Sequence, residues 1–241
     1  MFYLAEDSSR FPSPRTSIMT TIASHIDYTL LGSETTIGDI ERLCTEAVEH
    51  KFASICIPNY FVKHARRFLD GLQEEMVLGE VKIGTVAGYP LGFSTTAAKV
   101  EEIRRASIDG ADEVDFVVPI PAVINGNFNF VKQDLESCIT TARLYHLTSK
   151  VIFETDLFDA TDIEKLCHIC QDIEPNFVKT STGYRGGADV KTVRFLKNHL
   201  PDSIKIKASG GIQTHQQAVD LIEAGATRLG TSNAMKLLVS T

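Results

Sequence analysis

At 241 residues, 43% hydrophobic and 23% charged, the chain is long enough for one large core, and its composition is that of an ordered globular protein rather than a disordered one. A net charge of −7, with Lys and Arg scattered along the chain, argues against a nucleic-acid surface, which needs clustered cations. No apolar run approaches the roughly 18 residues needed to span a bilayer, and no signal-peptide core follows basic residues at the start, so no membrane is expected and the cytoplasm is the simplest location.

In chain order, residues 1–18 show neither helical nor strand period and carry Ser and Pro; they are expected to be a flexible or added extension, with the folded unit over 19–241. From there short β-branched runs alternate with helical stretches. The strands expected are His25–Leu31, Phe52–Pro58, Val81–Gly88, Glu113–Pro119, Lys150–Thr155, Asn176–Thr182, Ile204–Gly210 and Arg228–Ser232. Amphipathic stretches lie between them, including Thr36–His50, Thr95–Asp109, Phe130–His146, Ala160–Asp172, Val190–Leu200 and His215–Ala224, several with Ser, Thr or Asp before them as caps. Eight βα units with no interior linker predict a single-domain TIM (β/α)8 barrel. An open doubly wound sheet is the alternative, but no G-x-G-x-x-G follows the first strand.

The five cysteines are an odd number spread over a chain too large to need staples, which fits reduced thiols. Cys167 and Cys170 form a C-x-x-C, but no second ligand pair of similar spacing accompanies them, and both fall on the apolar face of the Ala160–Asp172 stretch; core packing is expected and no metal.

Charges inside apolar strands carry the functional signal. The period of two puts Lys179 on the face of Phe177 and Ser181, and Lys205 with Lys207 on one face of the next strand. Two neighbouring strands thus each direct a lysine inwards. Desolvation and a like-charged neighbour both lower a lysine pKa, which gives the free amine that attacks a carbonyl carbon; the alternative is that the lysines pair with carboxylates at the barrel rim. Asp115, on the face of Val117, needs a partner there and can relay protons. Asp27 and Thr29 share a face of the first strand, suited either to substrate hydroxyls or to a salt bridge at the barrel bottom. Glycine-bearing strand ends (Thr182-Gly183, Ser209-Gly210-Gly211, Gly230-Thr231-Ser232), with a helix starting near Asn233, suit an anion such as phosphate and also serve as plain connectors.

Together the segments Ile26–Leu31, Val86–Gly92, Gly110–Asp115, Lys179-Thr-Ser-Thr-Gly183 and Lys207-Ala-Ser-Gly-Gly211 resemble the 2-deoxy-D-ribose-5-phosphate aldolases, class I aldolases of the TIM-barrel type, from about His25 to Leu238. The resemblance implies reversible cleavage of 2-deoxy-D-ribose 5-phosphate to acetaldehyde and D-glyceraldehyde 3-phosphate without metal or cofactor. It matches Lys179 to the Schiff-base lysine, Lys207 to the lysine that perturbs it and Asp115 to the proton relay. It places Asp27, Thr29, Cys56 and Thr182 by the substrate, and Gly183, Gly210, Gly211, Gly230 and Ser232 by its phosphate. The partner implied is a small phosphorylated sugar or aldehyde, and a homodimer or higher homo-oligomer is expected. Where the family commonly carries Arg and a second Ser, this chain has Gln213 and Asn233, and these departures motivate, as the alternative, an aldolase of the same fold that prefers a non-phosphorylated or different acceptor aldehyde; after the lysine motif, where some members carry Lys, it has Tyr184, an aromatic found there in others, with Arg185 next to it.

Overall fold

Eight short β-branched runs that each bury both faces pair most simply by closing on themselves, because a closed parallel sheet leaves no edge and its two faces pack inwards on side chains and outwards on helices. The computed structural model, which describes residues 22–76 and 80–239, has this form. Strands β1 (Ile26–Thr29), β2 (Ser54–Cys56), β3 (Lys82–Ala87), β4 (Glu113–Val117), β5 (Thr148–Ile152), β6 (Phe177–Lys179), β7 (Lys205–Ser209) and β8 (Arg228–Thr231) form one closed parallel barrel in sequential order, with β8 paired to β1. The expected TIM barrel is what the chain forms. The extension expected over residues 1–18 lies outside the described residues.

Between the strands run α1 (Ile37–His50), α2 (Val62–Met76), α3 (Thr96–Ile108), the short α4 (Ile120–Ile124), α5 (Phe128–Leu144), α6 (Ala160–Ile173), α7 (Val190–His199) and α8 (His215–Glu223), and the four-residue α9 (Ala234–Leu237) follows β8. Their starts follow local chemistry. Thr36 and Thr214 form capping boxes with Asp39 and Gln217, and the Thr95, Asn127, Asp159 and Asp189 side chains each accept a first-turn N–H. The fragments Asp109–Asp112 and Glu223–Ala226 are matching exits. Gly110 and Gly225 take φ 99° and 117°, and the next residues' amides bond back to Ala106 and Leu221. Only glycine enters that region without strain.

The core lies between barrel and helices. Outward strand residues such as Val114, Phe116, Val151, Val178 and Ile206 are fully or almost fully buried beside helix residues including Leu43, Leu69, Ile103, Leu135 and Leu196. Each such side chain stabilises the fold by about 1.5–3 kcal/mol, which lets the interior carry charges that stabilise little. Cys167 and Cys170 belong to this core, and burial pushes the Cys167 thiol up to about 12 and that of Cys170 well above its ordinary value. An ion pair is also enclosed outside the barrel: Lys99 Nζ lies 2.7 Å from Asp134 Oδ2 and donates to the Val117 carbonyl at 2.8 Å, tying α3 and α5 to the C-terminal end of β4.

Candidate active site

Strand register brings the charges together. Lys179 on β6 is the direct partner of Lys207 on β7, and Asp115 on β4 is the partner of Lys150 on β5. Register partners on adjacent strands point to the same side of a sheet, so both pairs project into the barrel. Asp115 is the hub: its Oδ2 lies 3.0 Å from Lys179 Nζ and 2.8 Å from Lys207 Nζ, and its Oδ1 lies 2.8 Å from Lys150 Nζ. Lys207 also lies 2.6 Å from Asp27 Oδ2, and Lys150 lies 2.6 Å from Glu113. Arg228 closes the layer below, paired with Asp27 and, at 2.7 Å, with Glu113.

This network joins four cations (Lys150, Lys179, Lys207, Arg228) to three carboxylates (Asp27, Glu113, Asp115). Buried charge without a counter-charge costs several kcal/mol, so the group that most easily gives up its charge does so. Lys150, Lys207 and Arg228 each meet two carboxylates. Lys179 meets one oxygen, shared with Lys207, through the longest contact of the set. Its ammonium is the least compensated.

The titration tendencies agree. Burial pushes Lys179 below the ordinary lysine value and the Lys207 ammonium adds to this, while Asp115 opposes both without reversing them. For Lys207 burial acts in the same direction, but the Asp115 and Asp27 carboxylates outweigh it and hold its proton well above the ordinary value. Burial would raise the Asp115 carboxyl; Lys150, Lys207 and Lys179 overcome it and keep the group ionised far into acid.

Above the ionic layer a cleft of about 520 Å3 opens at the C-terminal strand ends, where barrels of this type carry their chemistry. Thr29, Thr182, Gly183, Gly210, Gly211, Gly230 and Ser232 line it, so these positions expected near the substrate chain and its phosphate do meet in one place. Lys179, Lys207 and Asp115 lie beneath its floor, Lys179 being 1% exposed. Asp27 and Cys56 are not on its wall. Asp27 is enclosed between Lys207 and Arg228, the salt-bridge arrangement rather than the hydroxyl contact, and burial raises the Cys56 thiol above its usual value. Lys205 shares the strand face of Lys207 but sits one layer lower, exposed at the N-terminal mouth. Gly230, one of the glycines expected to admit an anion, has a second reason to be glycine: a Cβ there would stand 3.0 Å from Lys207 Cε and 2.5 Å from Ser209 Oγ, in the space the lysine stem occupies.

Five residues of the site were not singled out as functional from the sequence: Lys150, Glu113, Arg228, Glu154 and Tyr89. The first three complete the ionic layer. Glu154 Oε2 accepts from the Thr182 hydroxyl at 2.5 Å and its amide at 3.2 Å, and Tyr89 donates to the Thr182 carbonyl at 2.8 Å, so the two fix the turn that leads out of β6. The Lys150 signal was available: it shares a period of two with Ile152 and Glu154. Among the described residues no three His, Cys, Asp or Glu side chains are grouped as a metal would require, and no helix is long and apolar enough to cross a membrane.

A closed (β/α)8 barrel with buried lysines and a carboxylate under its C-terminal mouth is an enzyme scaffold of the TIM type. The chain belongs to the DeoC/LacD family of aldolases, whose model matches residues 20–234. It is 41% identical to the deoxyribose-phosphate aldolase of Caldicellulosiruptor saccharolyticus, covering 90% of this chain and 96% of that one, and 39% identical to the enzyme of the same name from Thermococcus gammatolerans, covering 90% and 95%. Among solved structures it is similar to a putative deoxyribose-phosphate aldolase from Coccidioides immitis (TM-score 0.84, 33% identity, 95% and 87% covered). It is also similar to the tetrameric deoxyribose phosphate aldolase of Aeropyrum pernix (TM-score 0.80, 30% identity, 94% and 97% covered).

Proposed function

We propose that this aldolase is of class I and cleaves 2-deoxy-D-ribose 5-phosphate reversibly to acetaldehyde and D-glyceraldehyde 3-phosphate, with Lys179 forming the Schiff base. The observation that carries the reading is the pairing of Lys179, the one interior cation among the described residues with a single, shared counter-charge. Its free amine adds to the aldehyde carbon of the open-chain sugar, and the carbinolamine takes up a proton and loses water to give a protonated imine. Loss of the C3 hydroxyl proton then breaks the C2–C3 bond; the electron pair moves towards the imine nitrogen as an enamine, and glyceraldehyde 3-phosphate departs. Protonation of the enamine carbon and addition of water release acetaldehyde and restore the amine. Asp115, within hydrogen-bond reach of both lysines, relays these protons with water, and Lys207 supplies the positive charge that keeps Lys179 unprotonated. Asp27 acts through Lys207 rather than on substrate. Thr29 and Thr182 face the sugar chain, and Gly183, Gly210, Gly211, Gly230 and Ser232 receive the phosphate.

Borohydride reduction in the presence of acetaldehyde, followed by peptide mass spectrometry, tests the assignment: an adduct on Lys179 is expected, and a folded protein that traps none there rules it out. Lys207→Met removes the like charge beside Lys179 and leaves Asp115 Oδ2 to that amine alone, so the Lys179 pKa should rise. The limb of kcat/KM that rises with pH should therefore move to higher pH, and activity at pH 7 should fall about 10²–10⁴-fold; a limb that stays in place would show that Lys207 does not set the amine's proton affinity.

The second reading, an aldolase for a non-phosphorylated or different acceptor aldehyde, draws on one observation. Past Gly211 the cleft presents Gln213 and Asn233, and none of its lining residues is Lys or Arg. The ratio of kcat/KM for deoxyribose 5-phosphate and deoxyribose decides between them. The first reading expects a preference of at least about a hundredfold, two charge-assisted hydrogen bonds being worth roughly 3 kcal/mol or more; equal values favour the second. On either reading the enzyme works in the cytoplasm without metal or cofactor and as a homo-oligomer, to which the tetramer of the Aeropyrum pernix relative lends support.

A further inference from the structure

The opposite end of the barrel holds a second cavity, of about 330 Å3. Its walls include the first residue of each strand from β3 to β8: Lys82, Glu113, Thr148, Phe177, Lys205 and Arg228. Three of these six are cations and one is a carboxylate, in a chain whose net charge is −7. Glu113 is not free to repel an anion, because its oxygens are engaged by Arg228 at 2.7 Å and by Lys150 at 2.6 Å. Lys82 and Lys205, by contrast, form no ion pair with any described residue. Asn176, at the same wall, supplies an oriented donor. Its carbonyl oxygen accepts from the Ser149 amide at 2.9 Å and the Ser149 hydroxyl at 3.0 Å, which fixes the side chain and leaves its NH2 group without a partner among the described residues.

Two ammonium groups without ion pairs and an oriented amide around a small, half-open cavity, with the paired Arg228 at its inner wall, make a complementary field for a compact anion. We propose that this N-terminal mouth is a binding site for an oxyanion of the phosphate type, held by Lys82, Lys205 and the Asn176 amide and facing Arg228. The site is separate from the C-terminal cleft, since the whole ionic layer lies between them, and it does not depend on which aldehyde the enzyme uses.

The test must silence phosphate binding in the cleft. Calorimetric titration with inorganic phosphate, against chloride at matched ionic strength, would use the full chain carrying Ser232→Glu, which places a carboxylate in the cleft. Phosphate binding is expected to persist in this variant and to weaken at least about tenfold when Lys82→Gln and Lys205→Gln are added, each lost cation removing a charge-assisted bond. Lys205→Gln alone, at an exposed position, should give a partial loss and keeps the measurement open should the combined variant fold poorly. Phosphate affinity unchanged by the lysine substitutions, or no binding above chloride in the Ser232→Glu protein, would overturn the proposal.

Discussion

Lys179→Leu is expected to fold normally while losing at least about 10⁴-fold in aldol cleavage. The activity loss follows from the chemistry: without the amine there is no covalent intermediate, and no neighbour can replace it, because Lys207 and Lys150 are each held by two carboxylates. The stability expectation is less ordinary. Removing a buried member of an ion network usually costs 3–5 kcal/mol, because its partner is left uncompensated. Here the loss of Lys179 leaves three cations facing three carboxylates, and Asp115 still holds Lys150 and Lys207. Circular dichroism and denaturant unfolding should show a midpoint at or above that of the parent, alongside an inactive protein. A variant that unfolds would mean that Lys179 is a fully charged structural partner and that the aldolase mechanism has been assigned to the wrong state of the amine.

Asp115→Asn should do the reverse and damage both properties. It removes one of three counter-charges and leaves Lys150 with Glu113 alone and Lys207 with Asp27 alone. A loss of about 3–5 kcal/mol in unfolding free energy is expected, with a further fall of about 10²–10⁴-fold in kcat for protein that remains folded, from loss of the proton relay. The two effects separate by assay temperature, since stability recovers on modest cooling and the relay does not. The sign of the acid dependence follows too. The Asp115 carboxyl titrates well below its ordinary value when folded, so its contribution is fully present above the unfolded carboxylate pKa of about 3.9 and is lost as pH falls through the folded one. Parent protein should gain stability between those two points, and the asparagine variant should lack that part of the gain. Equal unfolding midpoints for the two proteins at neutral pH would contradict the hub assignment.

Which residues could be read in advance depended on where along a strand a charge falls. Lys179 and Lys207 stand inside apolar runs, where a charge has no local excuse, and Asp115 is flanked by Val114 and Phe116. Glu113 and Arg228 are the first residues of their strands, and Lys150, third in β5, opens the apolar run by which that strand is read in the sequence. A charge at the start of a strand normally reaches solvent, and only closure of the barrel turns those ends inwards against one another; the ion pairs Arg228–Glu113 and Lys150–Glu113 join residues that one strand's pattern cannot relate. Glu154 is harder still. It follows β5 with φ 60°, and its partner Thr182 is 28 residues away. The strand order was legible because most βα units carry their own helix caps and two end in glycine exits, whereas strand ends were shorter than the apolar runs: β6 stops at Lys179, and beyond the Thr180 amide, which still donates to the Lys207 carbonyl, the Thr180, Ser181 and Thr182 hydroxyls take over the bonding to β7 and Glu154.

The uneven charge count under the cleft also bears on turnover. On the proposed mechanism the resting enzyme has a neutral interior, and every protonated imine on Lys179 makes that interior one charge positive. The barrel is therefore electrostatically tense whenever a substrate is attached in that form and relaxed when it is not. Both routes out of the imine, collapse to the uncharged enamine and hydrolysis to the free amine, release that tension. A fixed surplus of one cation thus keeps the lysine ready to react and equally keeps it from being trapped, so that no intermediate becomes a resting place.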